Sequence, residues 1–322
     1  MRFSYLIYTF LIFSVLPLPS FSAEKVHLIV FHAGSLTVPF KAAKRKFERL
    51  HPEIDVRLEP SGSVQAIRKV TDLKKNCDVV ASADYSLIPN LMFPKFSDHV
   101  YAFARNELVL CYTDRSKYSE AIKRNNWYEI LKKSGVKWGF SNPNLDPCGY
   151  RTLMALGLAD FYYKRPVFEN LLSSSNISLT KKRNGILITV LNSLRTNPHI
   201  FIRPKAVALL GLLENGTIDY AFEYKSVALQ HRLKFVELPP EINLSSIKLK
   251  DLYSKVSVRL ANGKLIKGKP IVYGITTVLG APHPKEANLW ENFIISREGA
   301  EILRRNYQEP ICPPILIQAN KR

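Results

Sequence analysis

At 322 residues with 46% hydrophobic side chains, the chain is long enough to bury two cores of about 100–150 residues each, so two globular lobes are expected. Its 14 glycines and 20 prolines are near average usage, and no segment repeats with a period of about 20–50 residues, which excludes collagenous, low-complexity and solenoid architectures. The formal charge of +19 comes from basic residues spread along the chain, without zinc-finger spacing or a basic stripe interleaved with aromatic residues, and this distribution disfavours nucleic-acid binding.

The first 23 residues have the order of a secretory signal. Arg2 precedes an apolar run from Tyr5 to Leu16, and helix-breaking prolines and small residues follow. A run of about 12 residues is short for a membrane span. We therefore predict cleavage near Ser22 or Ala23 and export across the cytoplasmic membrane, with retention of the segment as an anchor as the alternative.

The cysteines show neither a C-x-x-C motif nor a pairing with histidine at zinc spacing, so a structural metal site is not expected. An exported chain could form a disulfide, but four cysteines allow three pairings and their spacing selects none. Cys77 and Cys111 flank apolar strands and are interpreted as core residues.

Strands alternate with helices from the start of the exported chain. Residues 26–31 predict a strand, Gly34-Ser35 a tight loop, and the following segment a helix with one apolar face. The unit then repeats, with a strand at 54–58, a loop at Ser61-Gly62-Ser63 and a helix at 64–73. Such alternation predicts parallel strand pairs whose faces are covered by helices.

A second series begins with strands at 107–112 and 137–140 and a long helix from about 150 to 163. Residues 166–198 have no clear assignment, and residues 219–224 and 234–238 predict two more strands. Asn262-Gly263 is a strong hairpin turn signal between predicted strands at 255–259 and 270–278. Helices at 284–295 and 299–307 are the last elements that the pattern indicates.

The fold class is therefore α/β, with two lobes that each hold a parallel-rich sheet and that meet at a hinged cleft. The predicted boundaries place residues 1–23 in the signal peptide, 24–105 plus 237–322 in lobe I, and 106–236 in lobe II. A lobe inserted into another is connected to it by two chain crossings, which is the geometry of a hinge.

Three loops follow predicted strands and open helices, at Gly34-Ser35, Ser61-Gly62-Ser63 and residues 146–149. Loop amides, helix N-termini and hydroxyl groups in such places favour an anion. Serine at a helix start is also a common N-cap, Ser-Gly-Ser a common turn, and Asp146 a common cap for the helix behind it.

The chain resembles the archaeal-type tungstate/molybdate-binding proteins of ABC importers. The resemblance is carried by residues 32–36, 59–63, 77–84, 141–151 and 219–228, and the strings Asp-Pro-Cys-Gly-Tyr-Arg and Glu-Tyr-Lys-Ser-Val-Ala are its most specific parts. It covers essentially the whole exported chain and is weakest at residues 166–198. It implies a periplasmic-binding-protein-like fold of type II.

The resemblance also implies a set of oxyanion contacts, made by Gly34, Ser35, Ser63, Asp146, Pro147, Cys148 and Tyr224. In the family, carboxylates bond directly to the metal centre of the anion, a role that the resemblance gives to Asp146. Tungsten(VI) and molybdenum(VI) are hard and can expand their coordination. Sulfur in sulfate cannot, so a carboxylate at this position would select against sulfate.

One position departs from the family. Its second coordinating glutamate aligns with Ala206, which cannot coordinate. Asp146 then acts alone, Glu223 substitutes, or the alignment shifts by some residues. Because neighbouring strand residues point to opposite faces, Tyr224 is favoured over Glu223 as the ligand donor.

The resemblance implies a binding protein rather than an enzyme, with tungstate or molybdate as ligand, no cofactor, the membrane permease of an ABC importer as partner and a monomeric state. An exported hydrolase with Ser35 as nucleophile and His32 as base is the rival reading, although the chain has no G-x-S-x-G motif. A binding protein for sulfate or phosphate is the alternative within the binding class.

Overall fold

The computed structural model of the protein describes residues 24–319. The predicted signal peptide at residues 1–23 lies outside the described residues. Within residues 24–319, no helix combines the length and the apolar character that a membrane span requires.

The described residues form three mixed sheets surrounded by helices. The strands are β1 (Val26–Ala33), β2 (Ile54–Ser61), β3 (Val79–Ser82), β4 (His99–Arg105), β5 (Leu108–Tyr112), β6 (Trp138–Ser141), β7 (Ser178–Lys182), β8 (Gly185–Thr189), β9 (Ile200–Arg203), β10 (Tyr220–Tyr224), β11 (Lys234–Glu237), β12 (Val256–Arg259), β13 (Leu265–Lys267), β14 (Val272–Thr277) and β15 (Glu309–Gln318). The helices are α1 (Thr37–Leu50), α2 (Ser63–Thr71), α3 (Leu87–Leu91), α4 (Trp127–Leu131), α5 (Pro147–Tyr163), α6 (Val167–Leu172), α7 (Leu210–Glu214), α8 (Lys225–Gln230), α9 (Pro240–Asn243), α10 (Lys250–Tyr253), α11 (Pro284–Ile295) and α12 (Arg297–Arg305), with short 3-10 helices at Gly34–Leu36, Ala206–Leu209 and Ile247–Leu249.

The six-stranded sheet has the order β15-β4-β14-β3-β1-β2. Strand β1 pairs in parallel with β2 and β3, and the other three strands extend the sheet with antiparallel pairs. Helix α1 buries Phe40, Ala43 and Phe47 because these residues share one helical face. The predicted strand-loop-helix units are confirmed, with β1 continuing to Ala33 so that Gly34 begins the loop directly.

The five-stranded sheet has the order β11-β5-β10-β6-β9. Strand β6 pairs in parallel with β9 and β10, whereas β5 pairs antiparallel with β10 and β11. Every residue of β10 is buried, which fits a central strand covered on both faces. The loops after β6 and β10 therefore start from a rigid part of the molecule.

The third sheet, of order β13-β12-β8-β7, was not foreseen from the sequence. Its strands β7 and β8 come from the segment without a clear assignment. The hairpin around Asn262-Gly263 exists, but the predicted partner strand was wrong, because β12 pairs with the short β13 while β14 joins the six-stranded sheet. This sheet joins residues from the predicted lobe II with residues from the predicted lobe I, and the lobe boundaries stay a prediction.

Helix α5 begins at Pro147, earlier than the predicted start at about residue 150. Proline suits the first helical turn because its missing N–H needs no partner there. Gly149 lies inside that turn, where an added Cβ would lie 2.1 Å from the Ser141 carbonyl oxygen. Gly149 therefore allows close contact between the start of α5 and the end of β6, and it does not break the helix.

Strand β15 was also missed, because Pro310, Pro313 and Pro314 argue against a strand. It lies at the edge of its sheet and pairs with β4, with a register shift between Pro310 and Ile315. An edge strand tolerates prolines because one of its sides needs no partner.

The cysteines within residues 24–319 are free thiols. Cys77, Cys111 and Cys148 are buried and Cys312 is exposed, so the prediction that Cys77 and Cys111 are core residues is confirmed.

Candidate functional site

The loop after β1 brings Ser35 into a chain of hydrogen-bonded polar groups. The Ser35 Oγ lies 2.9 Å from the hydroxyl of Tyr273 on β14. Asn106 donates to that same Tyr273 hydroxyl at 3.1 Å and to the Ser226 Oγ at 2.8 Å. Gly34 faces the 3-10 helix at Ala206–Leu209, since an added Cβ would lie 2.9 Å from a methyl group of Val207.

The Ser61-Gly62-Ser63 loop packs directly on the loop after β6. An added Cβ on Gly62 would lie 2.4 Å from the Leu145 carbonyl oxygen, so only glycine allows this approach. The buried Ser63 Oγ accepts a hydrogen bond from the Ala83 amide at 2.9 Å. The Ser61 Oγ is buried and has no hydrogen-bond partner among the described residues.

Asp146 precedes α5 and is only 6% exposed. Within the described residues its carboxylate makes no capping hydrogen bond to its own helix and instead accepts one from the Ala206 amide at 2.9 Å. Burial raises the pKa of Asp146, and the Ala206 amide, the Ser141 side chain, the Cys148 amide and the charge of Arg151 oppose this only in part. A buried carboxylate whose charge is incompletely compensated is a candidate for a functional role.

The next two residues, Pro147 and Cys148, form the first turn of α5 and are both buried. The Cys148 Sγ lies 3.8 Å from the Phe222 carbonyl oxygen, the geometry of a weak thiol donor. Burial raises the pKa of Cys148 well above its ordinary value, so the thiol is neutral. Cys148 can therefore offer a ligand its backbone amide and a weak donor, but no negative charge.

Glu223 and Tyr224 end β10, and each is 1% exposed. The Glu223 Oε1 accepts a hydrogen bond from the Tyr224 amide at 2.8 Å, and its Oε2 has no partner among residues 24–319. Burial raises the pKa of Glu223 to about 8, with a further contribution from the charge of Asp146. Glu223 is therefore mostly protonated at neutral pH, and its spare oxygen can donate a hydrogen.

A buried ion cluster beside these residues was missed in the sequence. Asp84, which follows β3, accepts a hydrogen bond from Tyr150 at 2.7 Å, forms an ion pair with Lys269 at 2.9 Å and lies 3.7 Å from the Arg151 Nη2. Burial would raise the pKa of Asp84, but the charges of Lys269 and Arg151 outweigh it and hold the pKa below its usual range. The strings that carry the family resemblance contain Asp84, Tyr150 and Arg151, yet nothing in them indicates that these residues meet.

Arg151 links this cluster to the site. Its Nη1 donates to the Ala83 carbonyl oxygen and to the Tyr224 hydroxyl, both at 2.7 Å. The structure thus brings loops of the six-stranded and five-stranded sheets together, through contacts at Gly34, Gly62 and Arg151.

The hydrolase reading predicts a hydrogen bond between Ser35 and His32. Among the described contacts, Ser35 pairs with Tyr273, whereas the His32 Nδ1 pairs with the Ala33 carbonyl oxygen at 2.8 Å and its ring packs on Phe40. Burial lowers the pKa of His32 to about 4. The arrangement gives no activated serine, and it suits the capture of a small anion by hydroxyl groups, amides and one carboxylate.

Comparison with known proteins also identifies a solute-binding protein. The family model for the bacterial extracellular solute-binding protein matches residues 28–307. The molybdate/tungstate-binding protein WtpA of Pyrococcus abyssi is 46% identical over 298 residues, 89% of this chain and 86% of that protein. WtpA of Thermococcus kodakarensis is 43% identical over 304 residues, 91% of this chain and 85% of that protein.

Solved structures with the same fold have little sequence similarity to the chain. The periplasmic molybdate-binding protein of Azotobacter vinelandii matches with a TM-score of 0.60 at 13% identity, over 87% of this chain and 98% of that one. The sulfate-binding protein SubI of Mycobacterium tuberculosis matches with a TM-score of 0.60 at 13% identity, over 89% and 88%. These neighbours confirm the predicted α/β fold class of periplasmic binding proteins. From the family match and its close relatives, the chain belongs to the bacterial extracellular solute-binding protein family.

Proposed function

We propose that this solute-binding protein captures tungstate or molybdate outside the cytoplasmic membrane and delivers it to the permease of an ABC importer. The similarity along most of the chain to two proteins named for binding molybdate/tungstate supports the ligand class. The observation that carries the proposal is Asp146, a buried carboxylate whose one hydrogen bond among the described residues leaves an oxygen available beside several hydroxyl and amide donors.

The donors and the carboxylate have different tasks. The oxygens of the dianion are held by the hydroxyl groups of Ser35, Ser63 and Tyr224. The amides of Gly34 and of Cys148, which follows Pro147 at the N-terminus of α5, also bind them. The free Asp146 oxygen bonds to tungsten or molybdenum, which accept a hard oxygen ligand, whereas the sulfur of sulfate does not. Asp146 therefore selects among anions of similar shape and charge.

Glu223 and Ala206 define how this chain departs from the family pattern. Residue 206 is alanine, and its amide holds one Asp146 oxygen. In our proposal Asp146 is the one carboxylate that bonds the metal centre. Glu223 stays protonated and donates a hydrogen to an anion oxygen, because a second negative charge without a metal bond would repel the dianion.

Capture requires the loops of the two sheets to close on the ligand. The close contact of Gly62 with Leu145 and the hydrogen bond from Lys205 to the Pro60 carbonyl oxygen at 3.3 Å support a closed form. We propose that lobes built on the six-stranded and the five-stranded sheets separate when the site is empty, and that the third sheet moves as one unit because β12 pairs with β8. The closed monomer is the form that a permease would recognise.

Calorimetric titration of the exported chain with tungstate, molybdate, sulfate and phosphate tests the proposal. We expect submicromolar binding of tungstate or molybdate and none of sulfate or phosphate, and Asp146→Ala should weaken binding about 100-fold or more. Equal affinity for sulfate, or no binding of the four anions, would contradict the proposal.

Asp219→Asn is a matched control. Asp219 is also a buried aspartate that accepts backbone hydrogen bonds, from Lys117 at 2.9 Å and Lys137 at 2.8 Å, but it precedes β10 at the end opposite Tyr224. Its loss should lower the melting temperature and leave tungstate affinity unchanged. A similar affinity loss in both variants would show that Asp146 acts through stability alone.

A further inference from the structure

Arg151 is a fully buried cation one helical turn beyond Asp146. Its Nη1 donates to the Tyr224 hydroxyl and to the Ala83 carbonyl oxygen. Asp84 lies close to its Nη2 and offsets its charge. Ala83 and Asp84, which hold the guanidinium in place beside Tyr224, lie outside the set of predicted ligand contacts.

The direction of the Tyr224 hydrogen follows from the chemistry of this pair. A guanidinium has only donors, so the Tyr224 oxygen must accept in this hydrogen bond. The phenol hydrogen then has to point elsewhere, and among residues 24–319 the Tyr224 hydroxyl has no second hydrogen-bond partner. Burial raises the pKa of Tyr224 well above its ordinary value, so the hydrogen stays on the phenol at neutral pH.

We propose that Arg151 is a positioning residue for oxyanion capture, which occupies the acceptor side of the Tyr224 hydroxyl and thereby turns its hydrogen toward the ligand. This inference rests on the proposed function. Arg151 acts through Tyr224 by its Nη1, while its Nη2, which has no hydrogen-bond partner among residues 24–319, lies 3.7 Å from Asp84.

One predicted serine donor is arranged by the same rule. The Ser63 Oγ accepts from the Ala83 amide, whose residue also binds Arg151 through its carbonyl oxygen. The Ser63 hydroxyl hydrogen therefore points away from this amide, which favours an anion whose oxygens only accept hydrogen bonds.

A double-mutant cycle in tungstate and molybdate binding tests the proposal. Tyr224→Phe and Arg151→Lys should each weaken binding about tenfold, and the double variant should lose no more than Tyr224→Phe alone, because Arg151 works through the phenol. Arg151→Lys keeps the positive charge, so full retention of affinity would show that charge alone matters and would overturn the proposal. Additive losses would overturn it as well.

A fluorine NMR measurement reports the positioning without any ligand. The protein is labelled with 3-fluorotyrosine, and the Tyr224 resonance is assigned by its loss in Tyr224→Phe. Arg151→Lys should shift this resonance in the ligand-free protein. Tyr150→Phe, which removes a hydrogen bond to Asp84 but none to Tyr224, should lower the melting temperature and leave both the resonance and the affinity unchanged.

The outcomes separate the two proposals. An unmoved Tyr224 resonance in a folded Arg151→Lys variant would overturn the positioning role even if tungstate binds. Wild-type protein that binds none of the anions would overturn the proposed function and this inference with it. Wild-type binding combined with additive losses would overturn the inference alone.

Discussion

Asp84 and Asp146 are both shielded from solvent, but their carboxyl groups have opposite surroundings. Asp84 is paired with Lys269 and Tyr150 and lies near Arg151, and its pKa is lowered. Asp146 accepts one amide hydrogen bond, and burial raises its pKa, as it does that of neighbouring Glu223.

In our proposal, this difference separates an acid that supports the fold from acids that bind a ligand. A buried charge costs stability unless partners compensate it. The cluster at Asp84 provides that compensation from the side chains of Lys269, Arg151, Tyr150 and Ser86. At Asp146 and Glu223 the compensation is left incomplete, which is the arrangement expected where a ligand completes the set of partners.

Among the substitutions, the largest loss of stability is expected for Asp84→Asn. The substitution leaves Lys269 and the buried Arg151 without their carboxylate, and breaking a buried pair costs about 3 kcal/mol in the free energy of unfolding. Chemical denaturation of the ligand-free protein measures it. Asp72→Asn is the control, since its pair with Arg68 at 3.8 Å is exposed and should contribute less than about 1 kcal/mol. Equal losses in the two variants would contradict the structural role of the Asp84 cluster.

Gly62→Ala tests whether loop contact is what shields Asp146. The new Cβ would lie 2.4 Å from the Leu145 carbonyl oxygen and 3.1 Å from the Asp146 Cβ, so the loops must separate. Tungstate affinity should fall about 100-fold, equivalent to about 2.7 kcal/mol, and the pKa of Asp146 should return toward its ordinary value. Calorimetry and carbon NMR titration measure the two effects.

Gly211→Ala is the matched control, because Gly211 is a helical glycine with nothing within 4 Å of an added Cβ. It should leave the affinity unchanged. Tight tungstate binding by Gly62→Ala would show that the contact with Leu145 is not needed for capture.

Glu223 should make stability fall as pH rises. Its folded-state pKa of about 8 lies above the ordinary value of 4.5, so between these pH values the unfolded chain releases a proton that the folded protein keeps. Unfolding is favoured by up to about 1.4 kcal/mol per pH unit in this window, and the effect is complete above pH 8. Glu223→Gln should remove this slope. Denaturation of both ligand-free proteins at a series of pH values measures it, and parallel curves would contradict the raised pKa.

The smallest effect on stability is expected for Asp146→Asn. Asparagine can still accept from the Ala206 amide, and it removes a charge that burial disfavours. The ligand-free variant should be as stable as the wild type or more stable, whereas tungstate affinity should be lost. A loss of stability as large as that of Asp84→Asn would mean that the two acids do not differ in role.

Much of the fold could be predicted because it depends on local pattern. Apolar strands such as β1 and β10 and the helical face of Phe40, Ala43 and Phe47 are visible in the sequence. Strand β15 could not be predicted because its prolines argue against a strand. They are tolerated only because β15 lies at the edge of its sheet, and no local sequence pattern indicates an edge position. The predicted partner of β12 was wrong for a similar reason. A turn signal marks where a hairpin bends, but it does not indicate which later strand pairs with β12.

The sequence by itself determined the types of residue available for an anion, namely Ser35, Ser63, Asp146 and Tyr224, and the family to which their motifs point. Only the tertiary structure decided which of two buried aspartates is compensated. The pKa of a carboxyl group depends on burial and on charges within a few ångströms, and the charged partners of Asp84, Arg151 and Lys269, are 67 and 185 positions away along the chain. Such distances in space cannot be read from sequence spacing, so the contrast between Asp84 and Asp146 appears only once the chain is folded.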